Sequence, residues 1–237
     1  ILADAVDRVH ETRGIVIDIE AIPLDDQKTF AMLARGETEG TFQLNGSGMT
    51  GYLKELRPTT IHDINAMVAL YRPGPMDTIP QYIERKKNPR LVKYMDERMK
   101  EYLDFSYGLL VYQDDVLLTA IKLGGYSWLE ADTLRKAMGK KDRDLMAAQK
   151  AKFVVGCRTN RIEAKKAERI WELIEKFAGY GSNKSHAACY GLVAYQTAYL
   201  KANYPTEFMA ALLTSEMDKT DKIVQYVEGA RAMGLRV

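Results

Sequence analysis

The chain has 237 residues, 46% of them hydrophobic and 28% charged, which is enough for one large core or two small ones and excludes a largely disordered polymer. It has no apolar run as long as a membrane span and no basic-then-apolar leader, so it reads as an intracellular protein. The formal net charge of +2 conceals a block pattern: residues 1–45 carry four Lys/Arg against nine Asp/Glu, and 101–133 one against six, whereas 85–100 carry seven against two and 144–166 six against two. Cys157 and Cys189 lie too far apart, and without company, to signal a zinc site or a disulfide framework; both read as reduced packing residues.

In chain order, the opening residues pattern as an amphipathic helix, and without an initiator methionine the sequence reads as part of something longer. Alternation over Ile15–Ile19 predicts a strand. It puts Asp18 and Glu20 on one face, as in two-metal phosphoryl-transfer sites, although a polar outer face is the commoner meaning of that pattern. Asn88-Pro89 marks a surface break. Leu109–Tyr112 is a short apolar run that fits either strand or helix. Helices are predicted over Gln113–Leu123 and Leu129–Met138, separated by Gly124-Gly125, with Leu129, Ala131, Leu134, Ala137 and Met138 as the inner stripe of the second and Gly139 as its stop.

Asp142 is placed to cap a helix from Arg143 to Val155. The clearest periodicity lies in Ala164–Ala178, where Ala167, Ile170, Trp171, Ile174, Phe177 and Ala178 share one face and Gly179 ends the element. A helix over Ser185–Asn203 must stop before Tyr204-Pro205, and Pro205 suits the first turn of the next, through Met217. A last helix is expected over Thr220–Met233, with Ile223, Val224, Val227 and Ala230 inward and Gly234 after it. The fold class is therefore mainly α, with little β structure.

Three stretches carry candidate chemistry. LRKAMGKKDR, residues 134–143, sets five basic side chains against one acid. Lys140 and Lys141 are explained by the negative end of a helix dipole. Arg135 and Lys136 are not, and four cations at one corner suit a polyphosphate. GYGSNKSHAA, residues 179–188, leads glycines, serines and an asparagine into a helix start, where backbone N–H groups and the dipole favour an anion. There Asn183 or Ser185 serves as cap and Lys184 and His186 add donors, although a plain capped helix accounts for the same residues. In YRPGP, residues 71–75, two prolines stiffen the loop that presents Arg72, either as a phosphate clamp or as a structural tie to an internal acid.

Taken together, TFQLNGSGM (41–49), ALYRPGPM (69–76), YGLLVYQDDV (107–116), GYSWLEADTLRKAMGKK (125–141) and the long block 176–218 containing NKSHAACYGLVAYQ closely resemble the bacterial C-family replicative DNA polymerases, the alpha subunits of DNA polymerase III. The resemblance implies a multi-helix fingers domain over 31–237, preceded by a connector, 1–30, from a palm whose metal-binding aspartates lie upstream. It implies DNA-directed DNA polymerase activity in the full-length chain and none in this part alone, Mg2+ held by the palm, and dNTP and template-primer DNA as ligands. A sliding clamp and an exonuclease would be partners in a bacterial cytoplasm. Arg135 and Lys136, with Lys140 and Lys141, would meet the triphosphate; Asn183, Lys184, Ser185 and His186 would lie near the nucleotide. The basic blocks 85–100 and 144–166 would contact DNA backbone, or form ordinary solvated surface.

The sequence departs from the family where two arginines are usual at 135–136, an aromatic at 182, an acid-serine pair at 45–46 and glutamate-glutamine at 114–115. The alternative to a polymerase part is a non-enzymatic helical module that grips nucleic-acid phosphates without preferring triphosphates.

Overall fold

The computed structural model describes residues 1–140, 142–178 and 180–237. Four helices come first: α1 (Leu2–Arg13), α2 (Gln27–Arg35), α3 (Ser47–Leu56) and α4 (Ile61–Leu70). After a 3-10 turn at Pro75–Thr78 follow α5 (Ile79–Lys87), the short α6 (Lys100–Leu103), α7 (Gln113–Gly124), α8 (Trp128–Lys140), α9 (Arg143–Thr159) and α10 (Ala164–Phe177). The chain ends with α11 (Lys184–Asn203), α12 (Pro205–Ser215) and α13 (Thr220–Ala232). The mainly helical expectation is met. Among the described residues the β structure is one isolated parallel bridge, Tyr112 with Ser182.

The chain divides into two compact units, one of residues 1–68 and 188–237 and the other of residues 69–187. In the first, α1 and α12 are joined by a bidentate pair, Arg13 Nε and Nη2 donating to Glu207 at 2.7 and 3.0 Å. Ala5, Leu200, Phe208, Leu212, Tyr226 and Ala230 form one of its apolar clusters. Asp26 caps α2 by accepting from Thr29 N at 2.9 Å and also accepts from Asn203 at 2.9 Å, so one carboxylate serves a helix start and a long-range tie. Lys201 is buried with its ammonium donating to the Glu39 carbonyl at 2.7 Å, and burial pulls its pKa down to about 8.

The second unit is built on α7–α10. Val116, Ala120 and Leu123 of α7 meet Ala131, Leu134, Ala137 and Met138 of α8, Phe153 and Cys157 of α9, and Trp171 of α10. Phe153 and Trp171 pack with ring centroids 5.6 Å apart. Helices α7 and α9 approach closely enough that a Cβ on Gly156 would lie 1.8 Å from the Gly124 carbonyl oxygen, so this crossing admits only hydrogen there. Deleting a side chain of Phe153's size from such a core costs about 3–5 kcal/mol.

The predicted helices exist, with instructive errors at their edges. The Ile15–Ile19 strand does not form: the segment is irregular, with Ile15 and Val16 exposed, and Asp18 closes a turn by accepting from Glu20 N at 3.0 Å. Alternation alone could not supply a pairing partner. Gly139 does not stop α8, which continues to Lys140, because a helical glycine costs only about 1 kcal/mol and the next helix begins almost at once. Leu129, placed on the inner stripe, is 77% exposed, since the first turn of α8 projects beyond the core. Helix α9 runs to Thr159, four residues past the expected end. In α13, Val224 is exposed and Tyr226 is buried in its stead. Asn88-Pro89 is a local break, with Asn88 capping the turn that follows, but it divides no unit. Gly179, the predicted stop of α10, lies outside the described residues.

Candidate functional site

All the candidate residues belong to the unit of residues 69–187. The first group stands on α8. One turn of helix brings positions i+3 and i+4 over position i, and here position i is Asp132. Arg135 donates to Asp132 Oδ1 from Nε at 2.9 Å and from Nη2 at 2.6 Å, and Lys136 Nζ lies 2.8 Å from Oδ2. The Lys136 ammonium first and the Arg135 guanidinium second hold the Asp132 carboxyl below its ordinary range. Two cations thus share one carboxylate at a wet surface, leaving net positive charge. Such exposed pairs are held weakly and exchange readily for a better anion. Lys140 is exposed at the last helical position; Lys141 lies outside the described residues.

The second group is a loop with its supports. Asn183 is the N-cap of α11, its side-chain oxygen accepting from His186 N at 3.0 Å. Lys184 N donates to the Asp114 carboxylate at 2.9 Å, so an internal anion already occupies part of the helix start. Lys184 Nζ stands 5.7 Å from the centre of the Tyr112 ring. Asn183, Lys184, Ser185 and His186 are all exposed. Ser182 beneath them is 3% exposed, its carbonyl accepting from Gln113 N at 2.9 Å. Arg72 Nη2 reaches the Ser182 hydroxyl at 3.4 Å, so the YRPGP loop touches this loop through a serine; of the two expected roles for Arg72, clamp or tie to an acid, the contact settles neither.

Asp115, buried beside Asp114, holds the approach to α7: its carboxylate accepts from Val111 N and Tyr112 N, each at 2.9 Å. Desolvation outweighs those bonds and pushes its pKa up to about 6.

The residues missed at the sequence level are the acids: Asp132, Asp114 and Asp115. Asp132 was legible from its three-and-four spacing to Arg135 and Lys136. The two others were visible as a pair, but their grip on 111–112 and on Lys184 spans contacts that spacing does not reveal. Parts of the basic blocks are also answered internally. Asp96 takes Arg98 at 2.6 Å and Lys166 at 2.8 Å, Glu130 takes Lys152, and Arg85 donates to the Tyr107 carbonyl at 2.8 Å. Among the described residues no group of three or more His, Cys, Asp or Glu could hold a metal ion, and no helix is long and apolar enough to cross a membrane.

These residues stand on a helical body, with an exposed cation cluster on one helix and a capped polar loop leading into another. The chain belongs to the family described as the bacterial DNA polymerase III alpha subunit finger domain, whose pattern residues 1–161 match. It is similar to the DNA polymerase III subunit alpha of Thermus aquaticus, at 46% identity over 97% of this chain and 19% of that protein. Against the corresponding subunit of Xylella fastidiosa identity is 50%, over 93% of this chain and 19% of the relative. For Escherichia coli K12 it is 47%, over 93% and 20%. The chain thus spans about one fifth of the length of the curated relatives it matches.

Proposed function

We propose that this chain serves as the fingers of a replicative DNA-directed DNA polymerase, holding the triphosphate of an incoming dNTP while a primer 3′-hydroxyl attacks the α-phosphate. In that reaction the hydroxyl gives up its proton to solvent as its oxygen bonds to Pα, the bond from Pα to the bridging oxygen breaks, and pyrophosphate departs with that bond's electron pair. Arg135 and Lys136, joined by Lys140 and Lys141, neutralise that charge as it develops; Arg72 clamps phosphate or braces the loop bearing Asn183, Lys184, Ser185 and His186, which lies near the nucleotide.

The observation that carries the reading is the Asp132 cluster: two exposed cations share one surface carboxylate on neighbouring turns of α8, a weak internal pairing that a triphosphate can replace without reorganising the helix. In this reading, which rests on the family, Mg2+ is held by aspartates elsewhere in the polymerase, and this chain alone would not extend a primer. Template-primer DNA would lie along the basic segments 85–100 and 144–166. Clamp and exonuclease subunits in a bacterial cytoplasm complete the setting.

The test is primer extension by the full-length subunit carrying Arg135→Ala and Lys136→Ala together. Losing two charge-assisted phosphate contacts should raise the KM for dNTP by about tenfold to a hundredfold while duplex DNA affinity changes little. An unchanged KM, or a loss confined to DNA binding, would refute the assignment and favour a module that grips nucleic-acid backbone alone.

A further inference from the structure

Within the unit of residues 69–187, the turn at Gly74 to Thr78, helix α5, residues 93–110 and the last turn of α10 enclose a cavity of about 280 Å3. Its inner wall is apolar, with Met95, Met99, Leu109 and Phe177 contributing. Tyr180 closes one side. Its ring packs so tightly on Gly74, where φ is 100°, that a Cβ there would lie 2.9 Å from the ring, and the wall is therefore set by backbone.

The remaining lining is charged, and unequally so. Arg85, Lys93 and Lys176 line it together with Asp77, the one carboxylate among the described lining residues. Arg85 is fixed in place by donating to the Tyr107 carbonyl at 2.8 Å. It is partly buried, and desolvation draws its pKa below the usual guanidinium range, so a facing anion would lower the cost of its burial further than the Tyr107 carbonyl and Glu84 already do. The chemistry selects by exclusion. A polyphosphate would leave the apolar wall unmatched and set several charges against Asp77. A neutral hydrophobe would leave the excess of Arg85, Lys93 and Lys176 over Asp77 unmatched. Both demands are met by an apolar body with a single negative head, in a cavity near the lower end of ligand-site sizes.

We propose that this cavity is a binding site for a small amphipathic monoanion, an aromatic or branched apolar body ending in one carboxylate or sulfonate. Its head group pairs with Arg85, Lys93 and Lys176, and its body lies against Met95, Met99 and Phe177.

The experiment is isothermal titration of the full-length protein with 1-naphthoate, using neutral 1-naphthamide as a probe of matched shape. The acid should bind about tenfold more tightly than the amide. Leu173→Trp, at a lining position 43% exposed and so tolerant of bulk, should weaken both probes by about tenfold or more. Joint Lys93→Ala and Lys176→Ala substitution should lower the acid's affinity toward that of the amide, and inorganic tripolyphosphate should fail to displace the acid. Absence of naphthoate binding, equal affinity for the two probes, indifference to Leu173→Trp, or displacement by tripolyphosphate would each overturn the proposal.

Discussion

The α8 cluster and the loop entering α11 present polar groups in opposite ways. On α8, Asp132, Arg135 and Lys136 hold one another through neighbouring turns of a single helix, with side chains 36%, 46% and 60% exposed. Around residues 182–186 the exposed groups stand on buried supports drawn from distant sequence: Asp115 and Ser182 are 2% and 3% exposed, and Asp114 reaches Lys184 across seventy positions. The first arrangement is cheap to rearrange and suits an anion that comes and goes. The second is costly to disturb and suits a surface that must keep its shape. A charged cluster's function therefore depends less on how many cations it holds than on what those cations already touch.

Substitutions should separate the two regions sharply. The largest effect is expected at Asp115, where Asp115→Ala strands two backbone N–H groups and should destabilise the protein by about 2–4 kcal/mol in urea unfolding at about pH 4, where the carboxyl's own contribution is greatest. The same residue shapes the pH profile. Its pKa is raised from 3.8 to about 6 in the folded state, so the stability it contributes is fully present below pH 3.8 and is lost as pH rises through about 6. Denaturation midpoints measured between pH 3.5 and 7 should show that decline, roughly up to 3 kcal/mol, and Asp115→Asn should flatten it; a decline unchanged in the Asn variant would assign it to another group.

A smaller loss, about 1–2 kcal/mol, is expected for Asp114→Ala, which removes one charge-assisted bond at the start of α11. Hydrogen exchange at Lys184 should report it as local opening. The smallest stability change belongs to Asp132→Ala, whose unfolding curve should nearly overlay that of the parent protein. Its ligand effect runs the other way. With no internal anion competing, triphosphate affinity should rise about twofold to fivefold and become more sensitive to salt. Weaker triphosphate binding after this change would mean that Asp132 positions the cations for the ligand and does not merely hold their place.

Much of this was open to sequence reading. The buried stripe Ala167, Ile170, Trp171 and Ile174 follows from a 3.6-residue period, and the break at Tyr204-Pro205 from proline's covalent geometry. The cap at Asp142 was visible in the same way, its side chain accepting from Leu145 N at 3.0 Å. The errors fell where local pattern lacks information. Leu129 has the spacing of a core residue but is 77% exposed on the first turn of α8, and Ile15–Ile19 has the alternation of a strand but pairs with no strand among the described residues.

Local chain chemistry, acting over three or four residues through hydrogen bonds and steric limits, determined the helices, most of their caps and the Asp132 cluster. Only the tertiary structure decided which polar groups became supports. It placed Asp115 in the dark beneath Val111 and Tyr112, set Asp114 against the start of α11, joined Arg72 to Ser182, and closed a cavity around Arg85. The physical reason is range: a period along one helix repeats within a few residues, whereas desolvation and long-range pairing depend on which distant segments exclude water together.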